Sequence, residues 1–163
     1  MPDTGFPAAD AENDFLRARR RQFLTALARR LRGRRGDRDR ILPLDQAAGP
    51  PGWRAARHLG LQTIPLDTII GTVDSRCDFD RRFRPTSSRV RSRWERLALA
   101  QRRGEPIPPI DVYRLGGVHF VNDGHHRVSI AAASGQRVID GYVTEVVTAV
   151  PPGRRPLAGT GTR

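Results

Sequence analysis

The sequence predicts an α+β domain, a small mixed β-sheet with packed helices, preceded by an amphipathic N-terminal helix. Three observations carry that reading. Ile110–Leu115 alternates like a strand, Gly116-Gly117 makes a two-residue turn, and Val118–Asn122 pairs back as a hairpin. Apolar residues recur at helical spacing over residues 13–32, from about 86 to 103, and over 125–134. Val138–Val150 is rich in β-branched residues, and the order strand, helix, strand around residues 118–150 suggests a right-handed crossover.

In chain order, residues 13–32 place Leu16, Phe23, Leu27 and Leu31 on one helical face, with arginines filling the other positions. That face is expected to dock on the domain; the sharper alternative is a basic surface helix meeting nucleic acid or membrane. Arg29, Arg30 and Arg32 close the helix as its dipole prefers. Gly33-Arg34-Arg35-Gly36 ends it, and the Gly/Pro-rich stretch to Gly52 reads as a linker. A short helical turn over Trp53–Leu59, stopped by Gly60, is expected next.

Leu61–Val73 reads as a strand and turn with Ile64, Leu66, Ile69 and Ile70 as core candidates. Asp74–Pro85 is an arginine-rich loop anchored by Phe79 and Phe83. Thr86 or Ser87 caps the central helix, whose inner stripe is Val90, Trp94, Leu97 and Ala98. Arg89, Arg96 and Arg103 form its outer stripe, either a solvated face or one that contacts nucleic-acid phosphates. A helix over His125–Ser134 stops at Gly135, and the tail from Pro151 reads as disordered. The expected organisation is a basic helix and linker over 1–60, a folded domain over 61–150 and a tail over 151–163.

The 163 residues hold 29 basic side chains, all arginine, against 17 acids, a net charge of +12. Residues 1–40 carry 11 arginines against six acids and residues 76–103 ten against three, whereas residues 104–150 carry three against five. Charge of this size favours a polyanionic partner such as nucleic acid, nucleotide or anionic lipid, and says nothing about fold. The lone Cys77 excludes an internal disulfide and a cysteine zinc site, and reads as inert. No apolar run reaches the roughly 18 residues that span a bilayer. The acids Asp3, Asp10, Glu12 and Asp14 argue against a secretory signal, so a cytoplasmic protein is expected.

The strongest chemical signal is Asn122-Asp123-Gly124-His125-His126-Arg127, where strand turns into helix. Acids normally occupy the first turn of a helix, beside its unpaired N–H groups and positive dipole end. Here the first turn is His125, His126 and Arg127. An anion at the helix start would resolve that conflict, held by the N–H groups of Gly124, His125 and His126, with the Arg127 fork adding donors matched to phosphate. Asp123 is placed to cap the helix, meet a ribose hydroxyl or hold a metal ion. An Asp-Gly turn followed by surface His and Arg is the plainer reading. Two adjacent histidines diverge on a helix and make no metal site by themselves.

The ordered set Ile64-Pro65-Leu66-Asp67, the arginine loop, the central helix, Pro108-Pro109-Ile110-Asp111-Val112-Tyr113 and Asp123–Ala131 resembles the ParB/sulfiredoxin superfamily, most closely its ParB-like N-terminal ("ParB-like nuclease") domain. The likeness covers roughly residues 61–148. It implies a ParB/sulfiredoxin-like sheet whose strand–helix turn holds nucleotide phosphates, with CTP or ATP as the cofactor. Gly124, His126 and Arg127 carry over as phosphate-site residues, and Arg81, Arg82 and Arg84 stand where ParB proteins have a second arginine-bearing phosphate loop. His125 falls where sulfiredoxins have their catalytic cysteine, which argues against that activity. Residues after 150 leave no room for the helix-turn-helix and dimerisation domains of a chromosome-partitioning protein.

Two functions follow as expectations. One is a nucleotide-phosphate-binding module in a DNA-associated or regulatory setting, its arginine-rich helices meeting DNA backbone. The other is a Mg-dependent enzyme of the same fold, a nucleotide hydrolase, nuclease or small-molecule phosphotransferase. It would use Asp123, with Asp78 or Asp80, to place the metal and His125 to move a proton.

Overall fold

The computed structural model describes residues 4–32, 40–49, 52–74 and 78–148. The Gly33–Gly36 helix stop, Cys77 and the tail from Pro151 lie outside them. Four helices and six strands alternate in the order α1 (Pro7–Leu31), β1 (Leu42–Pro43), α2 (Leu44–Ala48), β2 (Trp53–Pro65), β3 (Ile69–Thr72), α3 (Arg91–Arg102), β4 (Ile110–Leu115), β5 (Val118–Asp123), α4 (His125–Ser134) and β6 (Val138–Thr148). The strands form one mixed sheet in the order β1-β3-β5-β4-β6-β2. The fold class is α+β.

The hairpin β4–β5 anchors the middle of the sheet, as its alternation and Gly-Gly turn predict. Alternation also splits its side chains between two cores. Ile110, Val112 and Val121 pack with Ile64, Ile69, Phe83, Val128 and Val143, whereas Leu115 and Phe120 pack with Leu44 and Val146. Strand β4 runs antiparallel to β5 and parallel to β6, so β5 and β6 run opposite ways with β4 between them. Helix α4 therefore joins antiparallel strands; the expected β5–α4–β6 parallel crossover is corrected.

The segment over Trp53–Leu59 is a strand rather than a helical turn. It belongs to β2, which pairs antiparallel with β6 from Trp53 through Pro65. Helix-tolerant residues such as Ala56 and Arg57 yield to that tertiary pairing. Gly60, at φ +79, marks a register shift in the ladder, where a bulge needs it, instead of a helix stop. The sheet thus begins ahead of residue 60. Part of the expected linker is also built in, since Ile41 and Leu44 are buried and β1 pairs with β3.

Helix α1 docks, but with another face than its hydrophobic spacing predicts. Its buried residues are Asp10, Ala11, Asp14, Phe15 and Ala18, whereas Leu16, Phe23, Leu27 and Leu31 are exposed, Leu31 to 79%. Small Ala11 and Ala18 let the helix approach, and Phe15 meets Trp94 edge-on at 5.6 Å between ring centres. The two buried acids face Arg102 of α3: Asp14 forms an ion pair with it, and Asp10 lies 3.6 Å away. Charge pairing, invisible to a hydrophobic period, sets the rotation of α1. The central helix behaves as its pattern predicts, with Ser87 Oγ accepting from the Arg89 N–H at its start and Val90, Trp94 and Ala98 buried.

Replacing Arg102 by Leu leaves Asp10 and Asp14 buried without their cation. An uncompensated buried charge of this kind costs about 3–5 kcal/mol. Denaturant unfolding of Arg102→Leu should show a loss of that size, against less than about 1 kcal/mol for an exposed arginine such as Arg96.

Candidate functional site

The junction of β5 and α4 forms around Gly124, whose φ of +106 is open to glycine and strained for other residues. A Cβ at that position would stand 2.5 Å from Ile110 Cγ2, so β4 packs directly against the turn. Helix α4 then starts without a side-chain cap and without an acid in its first turn, its donors directed outward as unpaired N–H groups at any helix start are. A cavity of about 220 Å³ opens there, lined by Asp78, Phe79, Arg93, Asp123 and the residues from Gly124 to Arg127.

Each first-turn side chain has a different job. His125 Nε2 lies 2.7 Å from Thr72 Oγ1. That hydroxyl donates to the Val121 carbonyl at 3.1 Å and accepts from the Asp74 N–H at 3.2 Å. The Thr72 hydroxyl thus holds His125 through Nε2 and fixes the orientation of its ring. His126 stands edge-on to Phe79 at 5.1 Å between ring centres, and its Nε2 is buried with no hydrogen-bond partner among the described residues. Burial holds both imidazoles below their ordinary pKa; His126 is pushed to about 4, with Arg93 and His125 adding to the effect.

Arg127 turns inward. Its guanidinium pairs with Asp123 and donates to the Pro108 carbonyl at 2.9 Å and to the Pro109 carbonyl. It therefore staples the start of α4 to the segment ahead of β4, and Asp123 is its counter-ion; neither group is a free ligand arm of the kind the sequence suggests. Among the described residues, no three His, Cys, Asp or Glu side chains gather as a metal site.

The remaining candidates fall elsewhere. The carboxylate of Asp80, buried, accepts from the backbone N–H groups of Arg82 and Arg84 and pairs with the Arg84 guanidinium at 2.7 Å. Arg84 also donates to the Arg21 carbonyl and Thr25 Oγ1 of α1, so it is a structural cross-link. Arg81, Arg82 and Arg84 are absent from the lining at the α4 start, as is Asp80, whereas Asp78 joins it. Arg96 on α3, Arg89 just before it and Arg103 just after it are exposed, where the outer stripe puts them. Besides Arg127, the cation that lines the cavity is Arg93, which stands between Arg89 and Arg96 and which the sequence reading does not include. Its proximity comes from the packing of α3 on α4, which leaves no local signature.

No protein-family model matches the chain, nor does any curated protein or solved structure. The residues carry the argument alone.

Gly124→Ala should destabilise the fold by about 1–3 kcal/mol, the range for a non-glycine residue in a strained backbone region. Arg127→Ala should cost about 0.5–1.5 kcal/mol, the net scale of a lost intramolecular hydrogen bond, by releasing the part-buried Pro109 carbonyl and Asp123; Arg127→Lys should not restore it, lacking the fork. Both are read from chemical unfolding.

The histidines give a pH test. A folded-state pKa below the unfolded value means that the unfolded chain binds more protons, so stability falls as pH drops from about 6.5 toward 4. His119 and His125 shift the same way and reinforce the trend. Thermal midpoints between pH 7 and 5 should decline, and less steeply in His126→Asn.

Proposed function

We propose that the protein is a ParB-like nucleotide-phosphate-binding module, taking the phosphates of CTP or ATP at the start of α4. The observation that carries this reading is the buried, unpartnered His126 Nε2 beside a helix start that has neither an acid nor a side-chain cap. A phosphate oxygen there would accept from the first-turn N–H groups, from His126 and from Arg93, whose guanidinium makes no ion pair among the described residues. The cavity lies below the roughly 300 Å³ at which small-molecule pockets commonly begin. It suits a phosphate chain, with sugar and base outside.

The ordered motifs from Ile64 to Ala131 support the ParB/sulfiredoxin-like assignment, and the six-stranded mixed sheet is compatible with it. A DNA-associated setting follows from the exposed arginines of α3, with Arg89, Arg96 and Arg103 meeting backbone phosphates. Such contacts are sequence-independent and salt-sensitive. The second reading is a Mg-dependent enzyme of the same fold. It is favoured by Asp78 lining the same cavity as His125, with Asp123, the counter-ion of Arg127, at its edge.

Calorimetry with CTP, ATP, GTP and ADP, with and without Mg²⁺, tests the proposal. Stoichiometric binding of a triphosphate is expected, weakened about 10- to 100-fold by Arg93→Ala, the equivalent of a lost charged hydrogen bond of about 1.5–3 kcal/mol. Equal affinity in a folded Arg93→Ala variant, or no binding at millimolar nucleotide, would overturn it. Phosphate release with multiple turnovers would favour the enzyme over the module.

A further inference from the structure

Helix α4 borders a second hollow along its flank. Ser129, Ala132 and Ala133 line it on α4, α1 lines another side and the 81–84 turn a third, around a volume of about 440 Å³. Small side chains on α4 leave that room. None of the residues lining the cavity at the α4 start lines this one.

Four arginines and a single carboxylate face the hollow: Arg17, Arg21, Arg82, Arg84 and Asp14. Two of these charges are balanced within the protein, Arg84 by Asp80 and Asp14 by Arg102. Arg17 reaches Asp14 only at 4.0 Å, behind that stronger pair. Arg21 and Arg82 use backbone groups alone, the Arg21 carbonyl accepting from Arg84 and the Arg82 N–H donating to Asp80. Their guanidinium groups have no partner among the described residues.

Two cations without a partner among the described residues, Arg21 and Arg82, and the weakly paired Arg17 therefore line one concave volume from two separate elements. Arg17 and Arg21 stand four apart on α1, a spacing at which like charges repel. The turn that supplies Arg82 is held by the buried Asp80 carboxylate and by Phe83 at φ +55, a left-handed backbone that a non-glycine residue adopts only under constraint. The fold thus holds these like charges around one hollow. A multiply charged anion would offset that charge, and guanidinium forks meet phosphate oxygens, like those of carboxylates, with paired donors. The volume falls within the usual range for small ligands, about 300–1,000 Å³. A duplex presents its phosphates on a convex surface and cannot enter such a hollow.

We infer that the hollow between α1, α4 and the 81–84 turn binds a small oligophosphate compound through Arg17, Arg21 and Arg82. This site is independent of the one proposed at the α4 start.

Inorganic tripolyphosphate titrated into the full chain at low salt tests it by calorimetry. The expected result is saturable binding that the Arg21→Ala/Arg82→Ala variant weakens at least about tenfold, the scale of a lost charged hydrogen bond, and that Arg93→Ala leaves in place. Both substituted side chains are exposed, so the unfolding midpoint should hold; Arg82→Gln serves as a milder second variant. A wild-type stoichiometry of two, with one site lost in each variant, supports this site and the α4-start site together. Unchanged affinity in the Arg21/Arg82 variant would overturn the inference, as would loss with Arg93→Ala alone. So would a short duplex that depends on Arg21 and Arg82 and is not displaced by tripolyphosphate.

Discussion

The left-handed turn at Gly124 is the constraint on which the rest of the site depends. Ile110 packs where any side chain at that position would project, so hairpin and helix come within contact only because the residue is glycine. The turn aims α4, and the aim decides what its ends and flanks meet. His125 reaches Thr72 on β3, His126 reaches Phe79 in the loop and Arg127 reaches back to the carbonyls before β4. A cationic first turn is tolerated because each member has a distinct accommodation: a hydroxyl, a burial that keeps imidazole neutral and a carboxylate. The dipole conflict that the sequence presents is in part resolved by the protein itself. What stays unresolved is His126 Nε2 and the outward N–H groups.

Arginine here serves two unlike purposes, and the sequence holds no lysine with which to separate them. Inward arginines are structural. Arg84 ties the 80–84 turn to α1, Arg102 holds two buried acids, Arg114 pairs with Glu145 at 2.7 Å across the sheet, and Arg127 staples α4. Each uses the planar fork to satisfy several acceptors at once, which a point-charge ammonium does less well. Outward arginines such as Arg21, Arg82 and Arg93 sit on the rims of cavities. A net charge of +12 therefore overstates the charge open to a ligand, and the burial and partners of each arginine matter more than the total.

Much of the fold was legible because local and tertiary signals agreed. The β4–β5 hairpin, helix α4 from His125 to Ser134 with Gly135 at φ +77 beyond its end, and the inner stripe of α3 follow their patterns closely. The failures are places where the decisive partner is distant. Strand β2 reads locally as a helix-tolerant stretch, and only β6, some 80 residues on, makes it a strand. Helix α1 has the expected existence but not the expected face, because two of its inward positions are aspartates with a partner on α3. In the site, the Asp-Gly-His-His-Arg run marked the right turn. It gave no hint that Arg127 would point inward, since Pro108 and Pro109 are recognisable as its acceptors only once β4 lies beside α4. Arg93 was missed for the same reason.

The rotation of α1 has a further consequence for charge. Had Leu16, Phe23 and Leu27 faced the domain, Arg17 and Arg21 would have turned away from α4 and the hollow on its flank would have been filled by leucine. Pairing Asp14 with Arg102 instead brings Arg17 and Arg21 toward Arg82, while Ser129 and Ala132 of α4 are too small to close the gap. The same rotation leaves Phe23, Leu24 and Leu27 exposed. Apolar exposure of that kind works against stability, and the clustering of arginines adds repulsion to it. The docking of α1 therefore rests on a few strong contacts, the acid–Arg102 pairs, Phe15 on Trp94 and the Arg84 cross-link, which outweigh both costs and hold the cationic hollow open.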